Sequence, residues 1–110
     1  MQAGIVVYRR NGSSLAGKWT HERVDGVLQR EVVHDVAPGA WEGDWRVEIF
    51  QKGARIFDGR LNSVRLGDGL KLTWKDGKNE FQGMGIIIND DMLAASFELV
   101  APAPAEAVTG

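Results

Sequence analysis

Two histidines, four serines and fifteen acidic residues are the side chains with which this 110-residue chain could do polar chemistry. A hairpin turn at Asp25-Gly26 sets Val24 against Val27, which places His21 opposite Arg30 and His34 opposite Gly17. The histidines then share a face but lie several rungs apart, too far to grip one metal ion, and Arg30 beside His21 disfavours a cation. Ser13 and Ser14 fall in a turn and Ser63 and Ser96 in strands. None sits in a nucleophile elbow or beside a histidine in sequence. Carboxylates such as Asp25, Asp68, Asp76, Asp90 and Asp91 concentrate at turns. Facing strands can bring any two together for glycoside hydrolysis, but solvating turns is the expected role. With no cysteine, disulfides, thiolate metal sites and thiol nucleophiles are excluded together. No catalytic, metal or cofactor-binding residues are expected.

The elements that would position any site are legible from the glycines. Fourteen glycines against three prolines suit turns far better than helices, because an interior Gly costs a helix about 1 kcal/mol relative to Ala. Asn11-Gly12, Asp25-Gly26, Pro38-Gly39, Lys52-Gly53, Asp68-Gly69, Asp76-Gly77 and Asn89-Asp90-Asp91 mark seven turns. Eight strands lie between them, over 3–10, 15–24, 27–36, 44–50, 54–66, 70–75, 79–88 and 92–100. Period-two alternation is clearest in Trp45, Val47, Ile49; in Phe57, Gly59, Leu61; in Leu70, Leu72, Trp74; and in Leu93, Ala95, Phe97, Leu99. Short connections favour an antiparallel meander, and eight strands can close so that no edge is left unpaired. The expected fold is an all-β, eight-stranded antiparallel up-and-down barrel over residues 1–100. A flexible Ala/Pro-rich tail over 101–110 should follow it.

A weak internal repeat accompanies the turns: Tyr8, Gly12, Leu15, Gly17 is echoed by Phe50, Gly53, Phe57, Gly59 and by Trp74, Gly77, Phe81, Gly83. Each copy is an aromatic, a turn glycine, an apolar residue re-entering the core, and a second glycine over which a ring can lie or a strand can bend. Common ancestry and recurrent hairpin chemistry account for it equally well.

Inside the barrel, Trp19, Trp45, Phe57, Trp74, Phe81 and Phe97 either fill the interior or wall a ligand cavity, with Gly83, Gly85, Ala94 and Ala95 leaving room. Outside it, Trp41 falls in a loop, where it either caps the barrel or serves a partner. Asp90 and Asp91 offer charge at a loop tip. Ile86 and Ile88 should point outward, opposite Ile87, and an outward pair of isoleucines calls for a homodimer or partner to cover it.

The segment Leu15-Ala16-Gly17-Lys18-Trp19 resembles the Gly-x-Trp signature of lipocalins and other calycins, with Gly17 and Trp19 the matching positions. That resemblance implies a Trp plugging the closed end of a barrel, although here a strand precedes the motif. The layout over residues 3–100 also resembles the type III secretion negative regulator (GrlR-like) family. The matching features are the opening Gly4-Ile5-Val6-Val7-Tyr8 strand, a Leu-x-Gly element, the small-residue strand at Gln82-Gly83-Met84-Gly85, and an acidic turn leading into Asp90-Asp91-Met92-Leu93. The family's surface acidic motif, used in partner recognition, would correspond here to Asp90 and Asp91 alone.

Thirteen basic and fifteen acidic residues give a net charge of -2, which argues against nucleic acid as a partner. The longest apolar runs are too short for a bilayer span, and the first residues lack a signal-peptide pattern. The expectation is a non-enzymatic, cytoplasmic binding module. A protein partner or homodimer stands ahead of a small apolar ligand carried inside the barrel.

Overall fold

The computed structural model describes residues 3–101. Eight antiparallel strands follow one another around a closed barrel: β1 (Ala3–Asn11), β2 (Ser14–His21), β3 (Gln29–Val33), β4 (Gly43–Gln51), β5 (Ala54–Leu66), β6 (Gly69–Lys75), β7 (Glu80–Asn89) and β8 (Met92–Ala101). Each strand pairs with its sequence neighbours, and β8 returns to β1 with Val6 against Ala95 and Tyr8 against Leu93. This is the meander expected from the turns, and it is the architecture of lipocalin-like barrels. Among the described residues, no helix is long and apolar enough to cross a membrane. The expected tail lies outside the described residues, except for Ala101, which ends β8.

Turn chemistry explains where the strands stop. Gly12, Gly53 and Gly77 take φ values of +61°, +81° and +91°, a region that side-chain-bearing residues enter only with strain. Between turns, alternation sends one residue in two inward: Val6 and Tyr8 on β1, Val47 on β4, Leu70, Leu72 and Trp74 on β6, and Leu93 and Ala95 on β8 are all buried.

The barrel has two unlike ends. One receives the connections over 11–14, 34–42, 66–69 and 89–92. It is packed with Leu15, Val33, Leu70, Leu72 and Leu93 and covered by Val36, which leaves solvent almost no access to any of them. The other receives the connections over 22–28, 51–54 and 75–80 and carries most of the aromatic rings. β3 is the shortest strand, joined to β4 by three residue pairs only, Glu31 with Ile49 to Val33 with Val47.

Candidate functional site

The connection from β2 to β3 decides what the interior contains. Asp25 and Gly26 do not form a two-residue hairpin. Glu22–Val24 makes one turn of 3-10 helix, closed by Asp25 and Gly26, both left-handed at φ +53° and +72°. Val24 folds into the core. The longer loop moves the register by three residues, so that Leu15 faces Val33, Gly17 faces Glu31 and Trp19 faces Gln29. An odd shift turns the whole strand over. Arg30 and His34, expected to share a face with Trp19, lie on the outside, and Glu31 points into the barrel. His34 Nε2 lies 2.7 Å from Glu48 Oε1 on the outer wall. His21 remains on the inward side of β2, its Nδ1 accepting a hydrogen bond from the Arg23 amide at 2.9 Å.

Glu31 is 3% exposed, with its carboxyl halfway along the barrel. Tyr8 Oη donates a hydrogen bond to Oε2, and Trp74 Nε1 donates to the same oxygen at 3.2 Å and lies 3.3 Å from Tyr8 Oη. Among the described residues no hydrogen bond reaches Oε1. Burial pushes the Glu31 carboxyl up to about 7, with the Tyr8 and Trp74 hydrogen bonds pulling the other way. The Tyr8 hydroxyl is raised well above its ordinary value, first by its own burial and then by the neighbouring carboxylate. Gly17 makes the cluster possible: a Cβ there would stand 3.0 Å from the Tyr8 ring and 3.1 Å from the Glu31 Cβ.

Above this polar layer the interior is hollow. A cavity of about 270 Å³ opens at the aromatic end, walled by Trp19, Phe57, Trp74, Phe81 and Phe97, with Glu31 in its lining and His21, Gln51, Ile56 and Asn79 toward the rim. Phe97 is the hub of the wall. It meets Trp19, Trp74 and Phe81 edge to face at centroid distances of 6.1, 6.3 and 6.1 Å, while Phe57 meets Phe81 at 6.2 Å. Such pairs hold rings in fixed orientations without filling the space between them. His21 stacks on Trp19 at 5.5 Å. No Lys or Arg lines the cavity. Arg9, Lys18, Arg30 and Lys52 border a separate groove on the barrel's outer surface.

Of the residues expected around a cavity, Trp19, Phe57, Trp74, Phe81 and Phe97 line it and Trp45 does not. Trp45 sits toward the packed end, its indole over Gly43, where a Cβ would come within 2.8 Å of the ring. Gly83 and Gly85 lie outside the lining as well. The space beside Gly83 is taken by the backbone of β8, since a Cβ there would stand 1.7 Å from the Ser96 carbonyl oxygen; beside Gly85 it is taken by Leu93 and Leu72. The glycines therefore draw strands together, and the free volume lies elsewhere, where β3 is short and the walls are aromatic. Trp19, which the lipocalin resemblance would place as a plug of the closed end, stands on the wall of the open one. The sequence does not show the pair: the three-residue register shift decides the face on which Glu31 falls, and Tyr8 reads only as an aromatic of the repeat until that face is known.

The residues expected on a partner surface are partly brought together. Trp41 is half-buried and packs on the core of the closed end as a cap. The Arg10 guanidinium lies 4.1 Å from its ring centroid, donates to the Ala40 carbonyl at 2.9 Å, and reaches the Asp90 carbonyl at 3.4 Å. Arg10 thus ties the Trp41 loop to the Asp90-Asp91 turn, where both carboxylates are exposed. Ile86 and Ile88 are more than half exposed, on β7 near this turn, and Ile87 is also exposed.

No group of three or more metal-ligating side chains occurs among the described residues. No family model, curated protein or solved structure matches the chain.

Proposed function

We propose that the protein is a small-molecule binding barrel, a non-enzymatic carrier or sensor working in the cytoplasm, with the aromatic cavity as its site. The observation that carries this reading is the cavity itself: about 270 Å³ of free volume reaching solvent and lined by five large aromatic rings and a buried carboxyl. Ligand pockets of about 300–1,000 Å³ combine apolar walls with a few convergent polar groups, and this one lies at their small end. Its occupant is a compact one- or two-ring molecule.

Isothermal titration with 2-naphthol, a neutral aromatic probe, tests the reading. One-to-one saturable binding with Kd on the order of 10–100 micromolar is expected. Ile49 projects inward beside Phe57 and lines the same space. Ile49→Trp should therefore weaken binding about tenfold or more while leaving a cooperative unfolding transition. Equal binding by this variant, or none by the wild type, removes the cavity as a site.

A second reading rests on the outer wall. Ile86 faces Ala94, which faces Val7, so β7, β8 and β1 present an apolar strip one rank wide, and in the neighbouring rank Met84 and Ile5 flank Ser96, whose hydroxyl bonds to the Met84 backbone. Exposed strips of this kind mark protein contacts, and a second copy of the chain, related by a twofold axis, is the occupant we assign to it. Beside the strip, the Asp90-Asp91 turn held by Arg10 would provide a charged rim, in keeping with the GrlR-like resemblance. Sedimentation equilibrium should find a dimer that Ile86→Lys dissociates; a wild type that stays monomeric at high concentration rules the strip out.

A further inference from the structure

The cavity holds a carboxyl with no countercharge. Glu31 is almost wholly buried, Tyr8 and Trp74 both donate to one of its oxygens, and the other has no partner among the described residues. An ionised carboxylate in such a place is costly unless a cation meets it. None of the lining side chains is a lysine or arginine. What surrounds the carboxyl instead is aromatic, and an aromatic face attracts a cation through its quadrupole while offering a neutral group no such gain.

We propose that the cavity binds a small organic cation, a primary ammonium on an aromatic or apolar body, with the ammonium against the free oxygen of Glu31 and the body among the rings of Trp19, Phe57 and Phe97. This rests on the reading of the cavity as a ligand site and names its ligand class. An anion would meet Glu31 with like charge, and a neutral carbonyl ligand would use only the protonated acid and leave the ionised one unmet. The ammonium shares its protons with Oε1 without transferring one. Binding favours ionised Glu31, so a proton leaves the carboxyl for solvent as the ligand enters. The titratable groups facing this space are Tyr8 from β1, His21 from the end of β2 and Glu31 from β3. β4, β5, β6, β7 and β8 face it with Ile49, Phe57, Trp74, Phe81 and Phe97, none of which titrates. With the Glu31 carboxyl pushed up to about 7, affinity for a cation should rise between pH 6 and pH 8.

The test is calorimetric titration of the full chain with three probes of nearly one shape, phenethylammonium, 2-phenylethanol and phenylacetate. Phenethylammonium should bind about tenfold or more tightly than 2-phenylethanol at pH 8, less tightly at pH 6, and with proton release to buffer. Glu31→Gln keeps an oxygen to accept from Tyr8 and Trp74; it should erase the preference for the cation and leave 2-phenylethanol within about twofold. His21→Gln tells whether the rim imidazole, rather than Glu31, sets the pH dependence. The proposal is overturned if 2-phenylethanol or phenylacetate matches phenethylammonium at pH 8, in which case 2-naphthol binding still upholds the cavity as a site. It is equally overturned if the pH dependence survives Glu31→Gln and disappears in His21→Gln, or if none of the three probes binds. In that last event the 2-naphthol titration alone decides whether the cavity takes any ligand.

Discussion

At the packed end of the barrel, Leu15, Leu70 and Leu72 have no measurable exposure and interlock beneath Val36 and Trp41, whereas at the open end Phe81, Phe97 and His21 are only half-buried around free volume. The strands are the same; only the halves differ. Aliphatic side chains reach into the axis from several strands and close it, as an eight-stranded barrel allows. Rings locked edge to face stand along the wall and leave the axis free. Between the halves lies the Tyr8–Glu31–Trp74 layer, a polar floor that packing alone would not call for. The contrast teaches that stability is concentrated in one half, so the other can keep a void and a buried acid.

Truncation is the strongest way to break this comparison. Leu72→Ala, in the packed half, should cost about 2–5 kcal/mol, because the cavity it leaves is sealed on all sides. Phe97→Leu, in the open half, should cost about 1 kcal/mol, since the vacated space joins a volume already open to water. Urea unfolding of both variants measures the difference. Equal losses would mean that the two halves are equally well packed.

The polar floor gives the next largest effect. Glu31 holds its proton more tightly in the folded chain than in the unfolded one, its pKa rising from 4.5 to about 7 on burial. Between those values the folded state carries more protons, so the Glu31 contribution to stability is fully present below pH 4.5, falls as pH rises through the window, and is gone above pH 7. The loss is on the order of 3 kcal/mol. Glu31→Gln, which mimics the neutral acid, should flatten that part of the profile and be more stable than wild type at pH 8, as pH-dependent thermal unfolding would show. A wild-type profile that rises from pH 4.5 to 7 would place a paired carboxylate, rather than an isolated acid, in the floor.

These two halves were unequally legible in the sequence. Six of the seven turns announce themselves through Gly, the residue that positive φ favours, and the seventh through the Asn89-Asp90-Asp91 run; inward alternation follows from the pleat, so the barrel and its aliphatic lining could be read directly. The turn after Leu66 is a partial exception: the left-handed residue is Gly67 rather than Gly69, with no effect on strand order. The floor was hidden by β3. In its neighbourhood Gln29, Glu31 and Val33 alternate with Arg30, Val32 and His34, so both faces carry polar and apolar side chains and periodicity cannot choose between them. Asp25-Gly26 has the composition of a two-residue hairpin, yet the preceding residues coil into a 3-10 turn with Val24 tucked into the core. Only tertiary packing selects that loop, and the side of the sheet on which Glu31 falls is selected with it.

The cap over the packed end gives the smallest effect and sharpens the comparison most finely. Arg10 lies across Trp41 and donates to the Ala40 carbonyl, so each side chain holds the other in place. A partly exposed cation–π contact contributes about 0.5–1 kcal/mol. A double-mutant cycle with Arg10→Ala and Trp41→Ala should return a coupling of about that size, because the two groups are in direct contact. Neither substitution reaches the cavity, whose lining begins at the Tyr8–Glu31–Trp74 layer, so 2-naphthol affinity should be unchanged in all three variants. A cycle that shows coupling together with altered naphthol binding would mean that the cap and the cavity move as one unit, and the halves would then be mechanically joined across the polar floor.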